Sequence, residues 1–332
     1  MSRLAQPVNM TSTTDQPDRF IVGGNWRIIQ YGQNFGANAW FPEGNGVARH
    51  RDVVLMELEA LRQVGIQLVR VGLLDDGRTL LDDDARVVGY DDIFRNDVRL
   101  FLELAQAARM QVEFFLLDFL VAAKPLRTGD VLMQGRPQLF LDQSRRRQFI
   151  SDFLRPFLRE FGNHPTLFGL DIINEPEWLI SQDEGGGWEF VSHADRQAQE
   201  PLPARQVKEF ISECIATIRA LAPTQLVTVG ISGVLIPLIA DLDLDYFAPH
   251  HYPWMGDFRN ILDALPEGKP WLLEEYPTHN APMSLTDYLD SVWEMGGSGA
   301  LMWNLTPGID EYTFPHERQE AIWAELRNWI AS

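Results

Sequence analysis

Two stretches of this 332-residue chain run as apolar strands and then stop on carboxylates: "GLDIINEPEW" (169–178), carrying Asn174 and Glu175, and "PWLLEEYP" (270–277), carrying Glu274 and Glu275. Two carboxyl groups delivered from different strand ends can divide the work of glycosidic bond cleavage. One protonates the departing oxygen and the other meets the positive charge that develops on the sugar. Read alone, an Asn-Glu-Pro triplet is equally a strand followed by a turn, because Asn and Pro favour turns. Adjacent strand residues point to opposite faces, so only one of Glu274 and Glu275 is expected to face Glu175.

Other runs end in the same way. Arg70 lies inside "LVRVG", where an arginine flanked by valines needs a buried acceptor. "APHHYPW" offers His250, His251, Tyr252 and Trp254, with one of the two histidines expected to be structural; "ALMWNL" offers Trp303 and Asn304.

These residues need a scaffold that brings strand ends together. Eight apolar runs are candidate strands: 27–35, 66–74, 111–119, 167–174, 225–231, 246–252, 270–275 and 299–305. Between them lie segments of helical periodicity, at 52–64, 93–109, 144–162, 203–222, 234–241, 257–264, 284–296 and 316–330. Continuous apolar strands alternating with helices indicate parallel strands covered on their outer faces. The expected fold class is α/β, a single-domain (β/α)8 TIM barrel over 19–332. "FIVGGNW" (20–26) is expected to be a strand capping its bottom, and polar residues 1–18 a flexible tail. In such a barrel the C-terminal strand ends line the mouth where sites are built.

With that order established, the chain resembles the retaining glycoside hydrolases of clan A, most closely family 5. The resemblance rests on "NEP" at the fourth strand, His-x-Tyr at the sixth, Glu before an aromatic at the seventh and Trp at the eighth. It implies Glu175 as acid/base and Glu275, rather than Glu274, as nucleophile. Arg70, Asn174, His250, Tyr252 and Trp303 match the family's substrate-binding set. Trp178 and Trp254 join them as loop tryptophans suited to stacking on sugar. Arg70 and Tyr252 would keep Glu275 ionised, and the charge of Glu275 would help Glu175 hold its proton. Asn174 would donate to the sugar 2-hydroxyl, and the two carboxyl groups should stand about 5 to 5.5 Å apart. The chain departs from the pattern at Asp118, where many members have histidine, and at Pro277, where glycine is common; both leave the sugar open between β-mannan and β-glucan.

Composition sets the outer bounds. A formal charge of −19 repels nucleic acid and anionic membranes, so neither is an expected partner, and the carbohydrate partner is what the resemblance implies. No apolar run spans a bilayer and no signal segment is visible, so the chain is expected to be cytoplasmic, or secreted with its signal absent from this sequence. Cys214, the single cysteine, sits on the apolar side of a helix and is expected in the core. No cofactor or metal centre is expected, since the strands offer too few histidines for catalytic zinc and Asp241, Asp243 and Asp245 lack an EF-hand pattern. Trp40 and Trp188 are further candidates for sugar contact, Trp188 following three glycines that would let a loop close.

Overall fold

The computed structural model describes residues 20–88, 90–190 and 200–332. The expected tail, residues 1–18, lies outside them. Eight parallel strands form the barrel: β1 (Ile21–Asn25), β2 (Leu68–Gly72), β3 (Gln111–Asp118), β4 (Leu167–Asn174), β5, β6 (Ala248–His250), β7 (Leu273–Pro277) and β8 (Gly299–Trp303). β5 comes in two pieces, Leu226–Thr228 and Gly230–Ser232; the first pairs with β4, the second with β6, and Val229 between them closes the ring.

The first strand differs from the sequence expectation. Residues 20–26 supply β1, paired in parallel with both β8 and β2, and residues 27–35 form a loop. The cause is steric. A Cβ on Gly23 would lie 2.4 Å from Leu301 and from the carbonyl of Leu68, and one on Gly24 would lie 2.5 Å from Leu305. Only a glycine pair lets the chain pass so close to both neighbours. In the loop, Ile28 and Gly32 adopt left-handed backbone (φ 55° and 70°), and the Asn34 side chain accepts the N–H groups of Ile29 and Gln30. Those donors serve a turn and are lost to a ladder.

Seven of the eight segments of helical periodicity carry α-helix, and 234–241 falls on a 3-10 helix, Gly233–Leu238, with Pro237 inside it. Asp91 caps 92–107 by accepting the Phe94 N–H, and Ser284 and Asp287 form a reciprocal capping box on 285–294. The main core fills the space between sheet and helices, with Cys214 fully buried there. A second cluster of Ile21, Leu68, Tyr246, Ala248, Leu272 and Leu301 forms a separate apolar group contributed by barrel residues. Arg70, Glu113, Asp171 and Glu274 are also fully buried on β2, β3, β4 and β7. No helix among the described residues is long and apolar enough to cross a membrane.

Two strand-to-helix connections are long. After β3 a hairpin pairs Leu126–Thr128 with Val131–Met133. Arg136 ties it down, donating to the carbonyls of Asp76, Leu81, Asp82, Leu132 and Gln134 at 2.8 to 3.1 Å. After β4, Gly185 takes left-handed backbone (φ 87°), and the next two glycines serve close approach: a Cβ on Gly186 would meet the Ile180 carbonyl at 2.1 Å, and one on Gly187 the Trp178 ring at 2.5 Å. Two of the glycines expected to free this loop let it lie against Ile180 and Trp178.

Candidate active site

Glu175 is the first residue beyond β4, and its backbone is left-handed (φ 51°, ψ 49°), an unusual state for a residue with a Cβ. Its N–H is held by the Gly230 carbonyl at 2.8 Å, and Pro176 opens a 3-10 turn over Pro176–Leu179. The turn carries Trp178 back, so that its indole N–H donates to Glu175 Oε2 at 2.8 Å. An apolar strand ends on Asn-Glu-Pro because this corner aims one carboxylate into the barrel mouth.

The two glutamates of β7 do not alternate as expected. Leu273 pairs with Ala300 while Tyr276 pairs with Met302, so β7 carries one extra residue, a bulge. Bulges re-aim side chains and are common beside active sites. Here both carboxylates reach Arg70: Glu275 Oε1 lies 2.9 Å from Nη1 and Glu274 Oε2 lies 3.2 Å from Nη2.

Arg70 is the hub. It also donates to Asn25 Oδ1 (2.8 Å), Asp171 Oδ2 (2.5 Å) and Asn174 Oδ1 (2.7 Å), with its guanidinium 4.7 Å from the centre of the Phe115 ring. Burial works against its charge, but the carboxylates of Glu274, Asp171 and Glu275 outweigh it and hold the guanidinium protonated. Asn174 Nδ2 in turn donates to Asp118 Oδ2 at 2.9 Å, so the amide expected to meet a sugar is fixed at both ends. Tyr252 donates its hydroxyl to Glu275 Oε2 at 2.8 Å.

His250 lies between the carboxylates. Its Nδ1 is 2.8 Å from Glu175 Oε1 and 3.5 Å from Glu275 Oε2, and its Nε2 is 3.2 Å from Glu274 Oε2. Burial favours the neutral ring, yet the surrounding carboxylates raise its pKa well above the usual histidine value. His251, by contrast, is structural: it bonds the Tyr288 hydroxyl and the Gly256 carbonyl.

Glu175, His250 and Glu275 each offer an atom within 4.8 Å of the others. That spacing would suit a metal ion only while His250 is neutral, because a protonated ring has no lone pair to give. It also lets two carboxylates sit either side of one bond. Burial, with help from the charge of Glu175, pushes Glu275 up to about 7, against the pull of His250, Arg70 and Tyr252. Arg70 and Tyr252 act on this carboxyl in the expected direction, favouring its ionised form, while burial works against them.

Around the mouth, Tyr252 and Trp254 stack face to face (4.7 Å, 6° between planes), with Tyr312 edge-on to both. Trp254 is 57% exposed, an apolar plate open to solvent. Trp303, half-buried at the end of β8, donates its indole N–H to Asp310 at 2.7 Å. Trp40 is held by its N–H on the Thr128 carbonyl, with Arg78 above its ring, and Trp188 lies in a 3-10 turn over Trp188–Phe190. Thus Arg70, Asn174, Glu175, Trp178, His250, Tyr252 and Glu275 form one bonded cluster, with Trp254 stacked on it and Trp303 at the neighbouring strand end.

Several members were not found by sequence reasoning. Asn25 was missed because β1 was misplaced. Asp171 and Glu113 were visible as lone charges inside apolar strands and were passed over. Asp118 and Asp75 are pushed by burial to about 8 and about 7, while Asp171 rises to about 6. The hydroxyl of Tyr31, near Asp75 and Asp118, is buried without a hydrogen-bond partner.

No protein-family model matches the chain. It is similar to the mannan endo-1,4-beta-mannosidase of Mytilus edulis, 23% identical over 334 residues, covering 86% of this chain and 84% of that protein. The crystal structure of the blue-mussel beta-mannanase superposes with a TM-score of 0.72 at 21% identity, covering 94% of this chain and 92% of the other. The endo-1,4-beta-mannanase of Eisenia fetida gives 0.71 at 21% identity, with 94% and 91% covered. These likenesses establish the TIM-barrel fold.

Proposed function

We propose that this protein is a retaining, endo-acting β-1,4-mannanase that uses Glu275 as nucleophile and Glu175 as acid/base. The observation that carries the reading is the approach of these two carboxylates, within 4.8 Å, from the ends of β4 and β7. Inverting enzymes hold their carboxyl groups roughly 6.5 to 9.5 Å apart to admit a water, and retaining ones about 5 to 5.5 Å. The mannan preference rests on the names of the similar proteins.

In the first step a Glu275 oxygen attacks the anomeric carbon and forms an ester as the glycosidic C–O bond breaks. Glu175 transfers its proton to the departing oxygen. In the second, Glu175 takes a proton from water, the hydroxide oxygen bonds the same carbon, and the ester C–O bond breaks to release Glu275. Two inversions leave the product anomer as it began. Arg70 and the Tyr252 hydroxyl hold Glu275 in line, and Trp254 and Trp303 offer faces for pyranose rings.

The test is Glu275→Ala assayed on an aryl β-mannoside oligomer and on mannan. Activity should fall at least about a thousandfold and return on the aryl substrate with added azide, which fills the vacated space. Turnover like wild type in the variant sinks the assignment. Activity on β-glucan or xylan with none on mannan would sink the sugar, and loss of activity on chelation would favour metal at the Glu175, His250 and Glu275 trio. Product anomer followed by NMR decides retention.

A further inference from the structure

Beneath the catalytic pair a second line of titratable side chains crosses the barrel interior. Tyr246, just before β6, donates its hydroxyl to Glu113 Oε1 on β3. Glu113 also lies close enough to Glu274 for the charge of Glu274 to disfavour its ionisation, beyond the effect of burial. Glu113 Oε2 and Glu274 Oε1 are both buried without a hydrogen-bond partner. Two neighbouring buried carboxyls, each with an unpartnered oxygen, are tolerable only if one of them keeps its proton. The other oxygen of Glu274, Oε2, meets His250 Nε2 and Arg70 Nη2, each at 3.2 Å.

Room for this junction is made by one glycine. A Cβ on Gly230 would fall 2.3 Å from Glu274 Oε2 and 2.8 Å from both Arg70 Nη2 and His250 Nε2. The carbonyl of the same residue holds the N–H of Glu175. The line therefore runs from Tyr246 through Glu113, Glu274 and His250 to Glu175, with hydrogen-bond contacts at Tyr246–Glu113, Glu274–His250 and His250–Glu175. None of its three lower members can touch substrate, because each is fully buried under the residues of the mouth.

We propose that Glu274, aimed inward by the β7 bulge and braced by Glu113, is a positioning residue that holds the His250 ring against Glu175 and Glu275 and so sets the pH range of the catalytic pair. This rests on the hydrolase reading for its kinetic consequences but not for its geometry. The groups facing the junction are Arg70 from β2, Glu113 from β3, Asp171 and Glu175 from β4 with the buried Glu177 just beyond, Tyr246 and Tyr252 from either side of β6, and Glu275 beside it. With Glu274 ionised below the ring, both nitrogens of His250 carry hydrogen: Nδ1–H points to Glu175 and Nε2–H to Glu274. The resulting positive charge stabilises the ionised form of Glu275. Removing the charge of Glu274 loosens the ring's second proton, and the acidic limb of activity must then move to higher pH.

The experiment compares wild type, Glu274→Gln and Glu113→Gln by imidazole NMR and by pH-rate profiles on mannan oligomers. Wild-type His250 should keep both ring N–H protons at pH 7. In E274Q it should titrate to the neutral ring below that pH, with kcat down about tenfold or more at pH 6, KM changed less than about threefold, and the acidic limb raised by roughly one unit. E113Q keeps a neutral group beside Glu274 and should behave like wild type. A neutral His250 in the wild type overturns the proposal even if E274Q fails to fold. So does an unshifted His250 titration in E274Q, or an E113Q loss equal to that of E274Q. If the wild type cleaves no glycan, the functional reading fails and the NMR titrations alone decide the positioning role.

Discussion

At the residue scale the site is a contest between burial and charge. Arg70 and His250 bring positive charge among Asp171, Glu175, Glu274 and Glu275, and no arrangement of so many acids in a dry barrel leaves all of them ionised. A carboxyl at about 7 as nucleophile makes activity rise with pH through that value, since only the ionised form attacks. The Tyr252 hydroxyl favours the ionised form, so its removal should weaken the nucleophile at low pH first. Tyr252→Phe is expected to move the acidic limb of kcat/KM up by about one unit, the worth of a hydrogen bond to a charged group, and to cost roughly tenfold at pH 6. A pH-rate profile of the variant that overlays the wild type would show that this bond does not tune Glu275.

At the scale of elements, what the sequence revealed and what it hid follow from the range of the forces involved. Strand and helix periodicity is a local signal, and seven of the eight strands and the helices were legible from it. β1 was not: the longer apolar run 27–35 reads as the first barrel strand and 20–26 as a strand capping the bottom, and the place of 20–26 in the ring shows only when the side chains of Leu301 and Leu305 are seen to need the space of its two glycines. Glu175 and Glu275 were legible because each ends a strand. The inward turn of Glu274 was hidden, since a one-residue bulge is defined by the partner strand and leaves no mark on β7 alone. The hairpin after β3 was hidden for a similar reason: Arg136 organises it through five carbonyls scattered from Asp76 to Gln134, with burial lowering its pKa to about 10. Arg136→Met should leave those carbonyls unpaired, costing on the order of 3 kcal/mol or more. Denaturant unfolding would measure the loss, and limited proteolysis should cut first within 119–137. A variant as stable as wild type, with that loop intact, would mean that the carbonyls find other partners.

For the whole molecule, the acids gathered at the mouth couple the working pH to the stability of the fold. Asp171, Asp75, Glu275 and Asp118 have folded pKa values of about 6, 7, 7 and 8, all raised chiefly by burial above the ordinary carboxylate range. Between pH 4 and 8 the folded chain thus binds more protons at these four groups than the unfolded chain, and ΔG of unfolding must fall as pH rises. Their contribution is full below about pH 4 and is lost as pH climbs through 6 to 8. The charge of −19 adds self-repulsion in the same direction. Glu274, whose pKa is lowered, and the salt-bridged Asp241 and Asp257 on the surface oppose this only below the ordinary carboxylate range, where they take up protons. The melting temperature should therefore peak on the acidic side, near pH 5, and decline steadily to pH 8.5, while ionisation of Glu275 drives activity upward over the same interval. Thermal unfolding across that range in one buffer series of fixed ionic strength checks it. A melting temperature that rises from pH 5 to 8.5 would mean that the carboxyls around Arg70 are already ionised in the fold, and that the barrel keeps them charged at no cost in stability.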